Sequence, residues 1–146
     1  MTNLLEINNL SVDFPSRRGQ VAAVNKVSIA VAKGEVLGLV GESGAGKSTV
    51  GNSIINLLEP PGYISGGEII FDGNRIDQLS NEEMRKIRGA KIGTIFQDPQ
   101  TSLNPLMTIG KQLSETLIET LKISGSTARE KSVELLDSVG IPNPEP

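Results

Sequence analysis

The strongest constraint on this chain is a glycine-rich segment, GESGAGKST, at residues 41–49. It fits the phosphate-binding loop pattern G-x-x-x-x-G-K-[ST] at every fixed position. The short apolar segment before it, residues 35–40, predicts a strand, and residues 50–58 after it predict a helix. Because strand, loop and helix follow one another in the order that this motif requires, a phosphate-binding loop is favoured over a chance glycine-rich turn.

The residue types of this loop suit the binding of phosphate groups. Glycines let the backbone wrap around an anion, so that successive N–H groups and the positive end of the following helix surround it. We expect Lys47 to reach the β- and γ-phosphates of a nucleotide and the Ser48 hydroxyl to ligate Mg²⁺. The predicted phosphate-binding residues are Gly41, Glu42, Ser43, Gly44, Ala45, Gly46, Lys47, Ser48 and Thr49.

Composition excludes several other classes of site. The chain has 14 Lys and Arg residues against 17 Asp and Glu residues, a net charge of −3, so it offers no broad basic field to nucleic acid. It has no cysteine and no histidine, which excludes disulfides, thiolate metal sites and an imidazole base. No apolar run reaches the roughly 20 residues of a membrane span, and no signal-peptide pattern is visible. We therefore expect a soluble, cytoplasmic chain.

Two strands are predicted before the loop. Residues 4–14 alternate apolar and polar side chains, with an irregularity near Asn8 and Asn9, and residues 21–32 alternate in the same way. The polar turn between them predicts an antiparallel pair. This pair suggests a small antiparallel sheet attached to a parallel core.

Farther along, local signals predict the remaining elements. Residues 68–71 form a predicted strand with a hairpin turn at Asp72-Gly73, and residues 91–96 form a predicted buried strand. Capping boxes at residues 80–83 and 127–130 predict the starts of two helices, and Thr108 is the predicted cap of a third. Gly140 is the predicted end of the last helix.

Three of these features together resemble the amino-terminal part of an ABC transporter ATPase subunit: the strand pair, the GESGAGKST loop, and Ile95-Phe96-Gln97 opening a later loop. The chain is also similar to the branch that powers dipeptide and oligopeptide importers. Two stretches carry this closer resemblance: residues 38–44, Gly-Leu-Val-Gly-Glu-Ser-Gly, and residues 96–99, Phe-Gln-Asp-Pro, followed by residues 102–105, Ser-Leu-Asn-Pro. Nickel and glutathione importers of the same branch are similar there.

The resemblance implies a fold and a set of partners. The fold class is α/β, a P-loop NTPase with a RecA-like core, an antiparallel β subdomain and the start of a helical subdomain, here truncated. Residues 1–97 would form the ATP-binding core with the β subdomain, and residues 98–146 the glutamine loop and the first part of the helical subdomain. The implied ligands are ATP and Mg²⁺. The implied partners are a second ATPase subunit and integral membrane permease subunits, which would hold the protein at the inner face of the cell membrane.

The resemblance also implies roles for two residues outside the phosphate-binding loop. Gln97 would help hold Mg²⁺ and position the attacking water, as the catalytic candidate, although the sequence without the resemblance favours a solvated loop amide. Phe14 would stack on adenine, although a strand phenylalanine is commonly part of the core.

The sequence lacks other parts of the family's catalytic machinery. It has no Leu-Ser-Gly-Gly-Gln-like signature, no hydrophobic run ending in Asp-Glu and no histidine. We therefore expect ATP hydrolysis driving peptide import in a complete subunit, with these residues alone catalytically incomplete. A nucleotide-binding module without turnover, a nickel or glutathione importer ATPase, and a soluble ABC ATPase remain open alternatives. A GTPase is disfavoured because the only Asn-Lys pair, residues 25–26, precedes the loop.

Overall fold

The computed structural model describes residues 2–17, 19–97 and 102–142. The chain divides into two units, residues 1–88 and 89–146. The functional boundary that the sequence suggests after residue 97 stays a prediction. No helix in the described ranges has the length and apolar character needed to cross a membrane.

An antiparallel sheet dominates the first unit. Its four strands are β1 (Asn3–Ser16), β2 (Gly19–Ala32), β3 (Tyr63–Phe71) and β4 (Asn74–Arg75), in the spatial order β2-β1-β3-β4. The predicted pairing of the first two strands is confirmed, and β1 lies between β2 and β3. Apolar residues of these strands form the core because alternate side chains point to one face of the sheet. The fully buried ones are Ile7, Leu10, Val12 and Ile69.

The predicted irregularity in β1 is confirmed. Asn9 has a φ of 50°, and the register with β2 shifts between Ile7 and Leu10. The backbone N–H of Asn9 donates to the Ser28 hydroxyl at 2.9 Å, so a serine side chain satisfies a donor at the irregularity. The predicted hairpin turn at Asp72-Gly73 is also confirmed, with φ values of 50° and 74° that suit a tight turn between strands.

A charged network ties β4 to β3. The Arg75 guanidinium contacts the Asp77 carboxylate at 3.0 Å, and the backbone N–H of Ile69 donates to the same carboxylate at 2.9 Å. The Asp77 side chain is only 5% exposed. Burial alone would raise the pKa of Asp77, but the hydrogen bonds from Arg75 and Ile69 outweigh it and hold the pKa below its ordinary value.

Four helices complete the described structure. They are α1 (Lys47–Ile54), α2 (Asn81–Ile87), α3 (Ile109–Leu121) and α4 (Gly125–Ser138). The prediction placed α1 at residues 50–58, whereas the helix begins three residues earlier and ends at Ile54. The capping box at Ser80 is confirmed: the Ser80 hydroxyl accepts from the N–H of Glu83, whose carboxylate accepts from the N–H of Ser80. The hydrogen bond from the Ser80 hydroxyl lowers the pKa of Glu83.

The helix starts of the second unit confirm one predicted cap and correct the other. The Thr108 hydroxyl accepts from the N–H of Lys111, as predicted. Thr127, in contrast, is not a cap: α4 begins earlier, and the Ser124 hydroxyl accepts from the N–H of Thr127 at 3.3 Å. The physical reason is that α3 already ends at Leu121 and its C-terminal cap, Lys122, is left-handed with a φ of 55°, so Ser124 can cap the next helix.

The predicted strands at residues 35–40 and 91–96 are absent from the described structure. Neither segment forms a strand, and Val36, Val40 and Ile95 are each 95% exposed. A strand needs a neighbour to satisfy its backbone N–H and C=O groups, and the four-stranded sheet contains neither segment. Both predictions are therefore wrong for this structure.

Candidate functional site

The amino-terminal end of α1 differs from the other described helix starts. The amino-terminal caps of α2, α3 and α4 are Ser80, Thr108 and Ser124, whose hydroxyls accept backbone N–H groups. α1 has Gly46 at this position, with no side-chain cap and no acidic residue in its first turn. The first N–H groups of a helix lack partners within the helix, so this end is open to an external anion.

Glycine conformation shapes the loop in front of α1. Gly44 and Gly46 have φ values of 80° and 83°, which side chains rarely tolerate. At Gly46 there is a second constraint, since an added Cβ would collide with the backbone carbonyl oxygen of Ala23 in β2. Glycine at 46 thus allows the loop to turn and lets the start of α1 lie directly against the sheet.

Lys47 folds back across the loop. Its Nζ donates to the carbonyl oxygen of Gly41 at 2.8 Å and also to that of Glu42. These bonds hold the Lys47 ammonium beside the open end of α1. The helix dipole is also positive at this end, so the ammonium and the dipole both favour a bound anion. The arrangement can bind a phosphate group through backbone N–H groups and one lysine ammonium.

The body of α1 is fixed by the core. Val50 is 6% exposed, and the Ser53 side chain is buried with its hydroxyl donating to the carbonyl of Thr49 at 2.7 Å. Ser48, in contrast, is exposed on the first turn. α1 therefore presents the Ser48 hydroxyl at the open end while its other face is held in place.

The residues at this end fit Mg²⁺ bound together with phosphates. Within the described ranges no group of three Asp, Glu, His or Cys side chains could hold a metal ion. Mg²⁺ commonly uses few protein ligands, with water and substrate phosphates as the rest. A serine hydroxyl, as offered by Ser48 in the first turn of α1, is a suitable oxygen ligand.

The two other candidates are placed as follows. Phe14 lies in β1 opposite Val21, half-buried, and its ring packs so closely on Gly62 that an added Cβ there would clash. Gln97 lies in the second unit at a bend and is exposed. Residues 98–101, which the resemblance assigns to the same loop, lie outside the described residues. The roles of Phe14 and Gln97 stay predictions.

Ala23 contributes to the site and was missed by the sequence analysis. Its carbonyl oxygen is the atom against which Gly46 packs. No local signal marks this residue, because its role is a backbone contact between positions far apart in the sequence.

Comparison with known proteins places this loop in a family. The family model described as "ABC transporter" matches residues 24–145. The oligopeptide transport ATP-binding protein OppD of Bacillus subtilis is 49% identical over 146 residues, covering 99% of this chain and 41% of that protein. The dipeptide transport ATP-binding protein DppD of the same organism is 46% identical, covering 99% of this chain and 43% of that protein.

Solved structures agree with this placement. The dimeric structure of MJ0796, a bacterial ABC transporter cassette, is similar with a TM-score of 0.79 and 30% identity, over 91% of this chain and 56% of that one. The fold is thus the predicted α/β P-loop NTPase fold. This chain spans about two fifths of the length of OppD and DppD. The match over residues 24–145 shows that the chain belongs to the ABC transporter family.

Proposed function

We propose that this chain provides the ATP-binding part of an ATPase subunit that powers peptide import through an ABC transporter. One observation carries the proposal: α1 begins without a side-chain cap behind a loop across which Lys47 is folded. The names of the relatives, oligopeptide and dipeptide transport ATP-binding proteins, support ATP as the ligand and peptides as the cargo. A related cassette has been solved bound to ADP and Pi.

Different residues of the chain would bind the phosphates, the Mg²⁺ ion and the adenine ring of the nucleotide. The N–H groups of the loop and of the first turn of α1 would hold the β- and γ-phosphates, and the Lys47 ammonium would leave the loop carbonyls to neutralise their charge. Ser48 would ligate Mg²⁺, which when bound supplies charge neutralisation of the phosphate oxygens. Gln97 would complete this ligand set and orient the attacking water, and Phe14 would stack on adenine.

The proposal extends to partners. The described cassette MJ0796 is a dimer, which supports a second ATPase subunit as a partner of this chain. Leu103 and Leu106 are 50% and 92% exposed in the loop after Gln97. Exposed leucines in a polar loop suit contact with another protein, and we assign them to a permease subunit, which would hold the ATPase at the inner face of the membrane.

The experiment is a calorimetric titration of MgATP into the full-length subunit and its Lys47→Ala variant. Loss of charge-assisted contacts in a partly buried site should weaken binding by about 2–4 kcal/mol. Lys131→Ala is the matched control, because it removes the same charge from an exposed position on α4. Equal affinity in wild type and Lys47→Ala would refute the phosphate-binding assignment.

A further inference from the structure

A partly buried contact holds the end of α1 that lies away from the phosphate-binding loop. The Nε of Arg88 donates to the carbonyl oxygen of Ile55 at 2.6 Å, and its Nη2 donates to that of Asn56 at 2.9 Å. Ile55 is the C-terminal cap of α1, and Asn56 follows it with a left-handed φ of 51°. Arg88 thus binds two consecutive carbonyl groups just where the helix stops.

The charge of Arg88 suits this position. The carbonyls at a helix end lack partners within the helix, and the helix dipole makes this end negative. α1 has no basic residue of its own in its last turn. A cation from another part of the sequence therefore supplies what α1 lacks, through a planar group that can donate to two acceptors at once.

Arg88 is itself held in place. Its backbone N–H donates to the carbonyl of Met84 at 2.9 Å as the last bond of α2, and the Met84 side chain is fully buried. The Arg88 residue is half-buried. The backbone from which the Arg88 guanidinium extends is therefore anchored to the core through α2.

We propose that Arg88 is a positioning residue for nucleotide binding, acting through α1 on the phosphate-binding loop. α1 has only eight residues, about 12 Å of helix, so a tilt at one end moves the other. Gly46 fixes the first end against Ala23, and Arg88 fixes the second. Losing Arg88 would let α1 shift and would misdirect the N–H groups that meet the phosphates. This inference rests on the proposed nucleotide-binding function.

The test compares three variants of the full-length subunit: Arg88→Ala, Arg88→Lys and Arg85→Ala. Arg85 is exposed on α2, so its replacement removes the same charge without touching α1. Affinities for MgATP and for inorganic triphosphate are measured by calorimetry well below the melting temperature of every variant. The amide signals of Gly44 and Gly46 are followed by NMR in the same samples.

Arg88→Ala should weaken the binding of both ligands about tenfold, the effect of losing one hydrogen bond to a charged group, and should shift the two glycine amide signals. Arg88→Lys should recover part of the affinity, since an ammonium can still donate to one carbonyl, and Arg85→Ala should match wild type.

A merely structural role would lower the melting temperature of Arg88→Ala while leaving affinity and amide signals unchanged, and that result would overturn the inference. If Arg88→Ala does not fold, Arg88→Gln is measured in its place against the same two outcomes. A wild-type protein that binds no MgATP would instead refute the proposed function, and the inference with it.

Discussion

Replacing Gly46 by alanine tests the geometry of the phosphate-binding loop most directly. Gly46 has a φ of 83°, and an added Cβ would collide with the carbonyl oxygen of Ala23. A left-handed conformation costs a residue with a Cβ roughly 1–2 kcal/mol, and overpacking against a fixed neighbour typically costs about 1–3 kcal/mol. We therefore expect Gly46→Ala to lower the free energy of unfolding by about 2–5 kcal/mol.

The same change should also impair ligand binding. The start of α1 would have to move away from β2 to relieve the collision, which carries the first N–H groups of the helix with it. The assay is chemical unfolding of the full-length subunit, followed by titration of the folded variant with MgATP. Affinity should fall along with stability.

Gly51 provides a matched control five residues along the same helix. It lies inside α1, and an added Cβ there meets nothing within 4 Å. Alanine is favoured over glycine in a helix interior by roughly 0.5–1 kcal/mol, so Gly51→Ala should stabilise the protein and leave MgATP affinity unchanged. If Gly46→Ala and Gly51→Ala change the free energy of unfolding in the same direction, the close approach of Gly46 to β2 does not determine the conformation of the loop.

Three further predictions follow from other parts of the structure. Phe14→Ala should weaken ATP binding by about 1 kcal/mol and leave inorganic triphosphate binding unchanged in calorimetry; an equal loss for both ligands would show that Phe14 is only core packing. Leu103→Ala and Leu106→Ala should reduce peptide transport per ATP hydrolysed at unchanged nucleotide affinity, and unchanged transport would assign these leucines to a role within the subunit. The lowered pKa of Asp77 stabilises the fold above its unfolded pKa of about 3.9, and this contribution is lost as pH falls through the lower folded value. Asp77→Asn should therefore flatten the pH dependence of unfolding measured below about pH 4, and an unchanged slope would contradict the role of the Arg75 contact.

Local chemistry made much of the described structure predictable. The turn at Asp72-Gly73 needs only two residues that accept positive φ, and the capping box at Ser80 needs only a serine and a glutamate three residues apart. The phosphate-binding loop is similar, because its glycines and lysine are contiguous in the sequence. Each of these features depends on only a few neighbouring residues, so the sequence pattern is sufficient to predict it.

Contacts between distant residues were not predictable in this way. The approach of Gly46 to Ala23 and the bonds from Arg88 to Ile55 join positions more than 20 residues apart. Neither contact leaves a pattern in the surrounding residues. The start of α4 was predicted wrongly for a different reason: Ser124 and Thr127 are both suitable caps, and only the end of α3, capped by Lys122, decides between them.

The two missing strands bear on how the proposed site works. Residues 35–40 lead directly into Gly41, and residues 91–96 lead directly into Gln97, so each apolar segment precedes a proposed site residue. Ligands of parallel α/β sheets bind beyond the carboxyl ends of the strands, which is where both residues would lie if the segments were strands. The exposure of Val36, Val40 and Ile95 shows that these segments carry the apolar side chains of buried strands without being buried among the described residues.

The glycine turns, the Lys47 bonds and the open end of α1 are formed although neither segment is a strand, because they depend on local sequence and on β2. The predicted phosphate-binding loop and the proposed position of Gln97 thus have different requirements: the first is set by the loop and α1, whereas the second depends on strand pairing that the described strands do not provide.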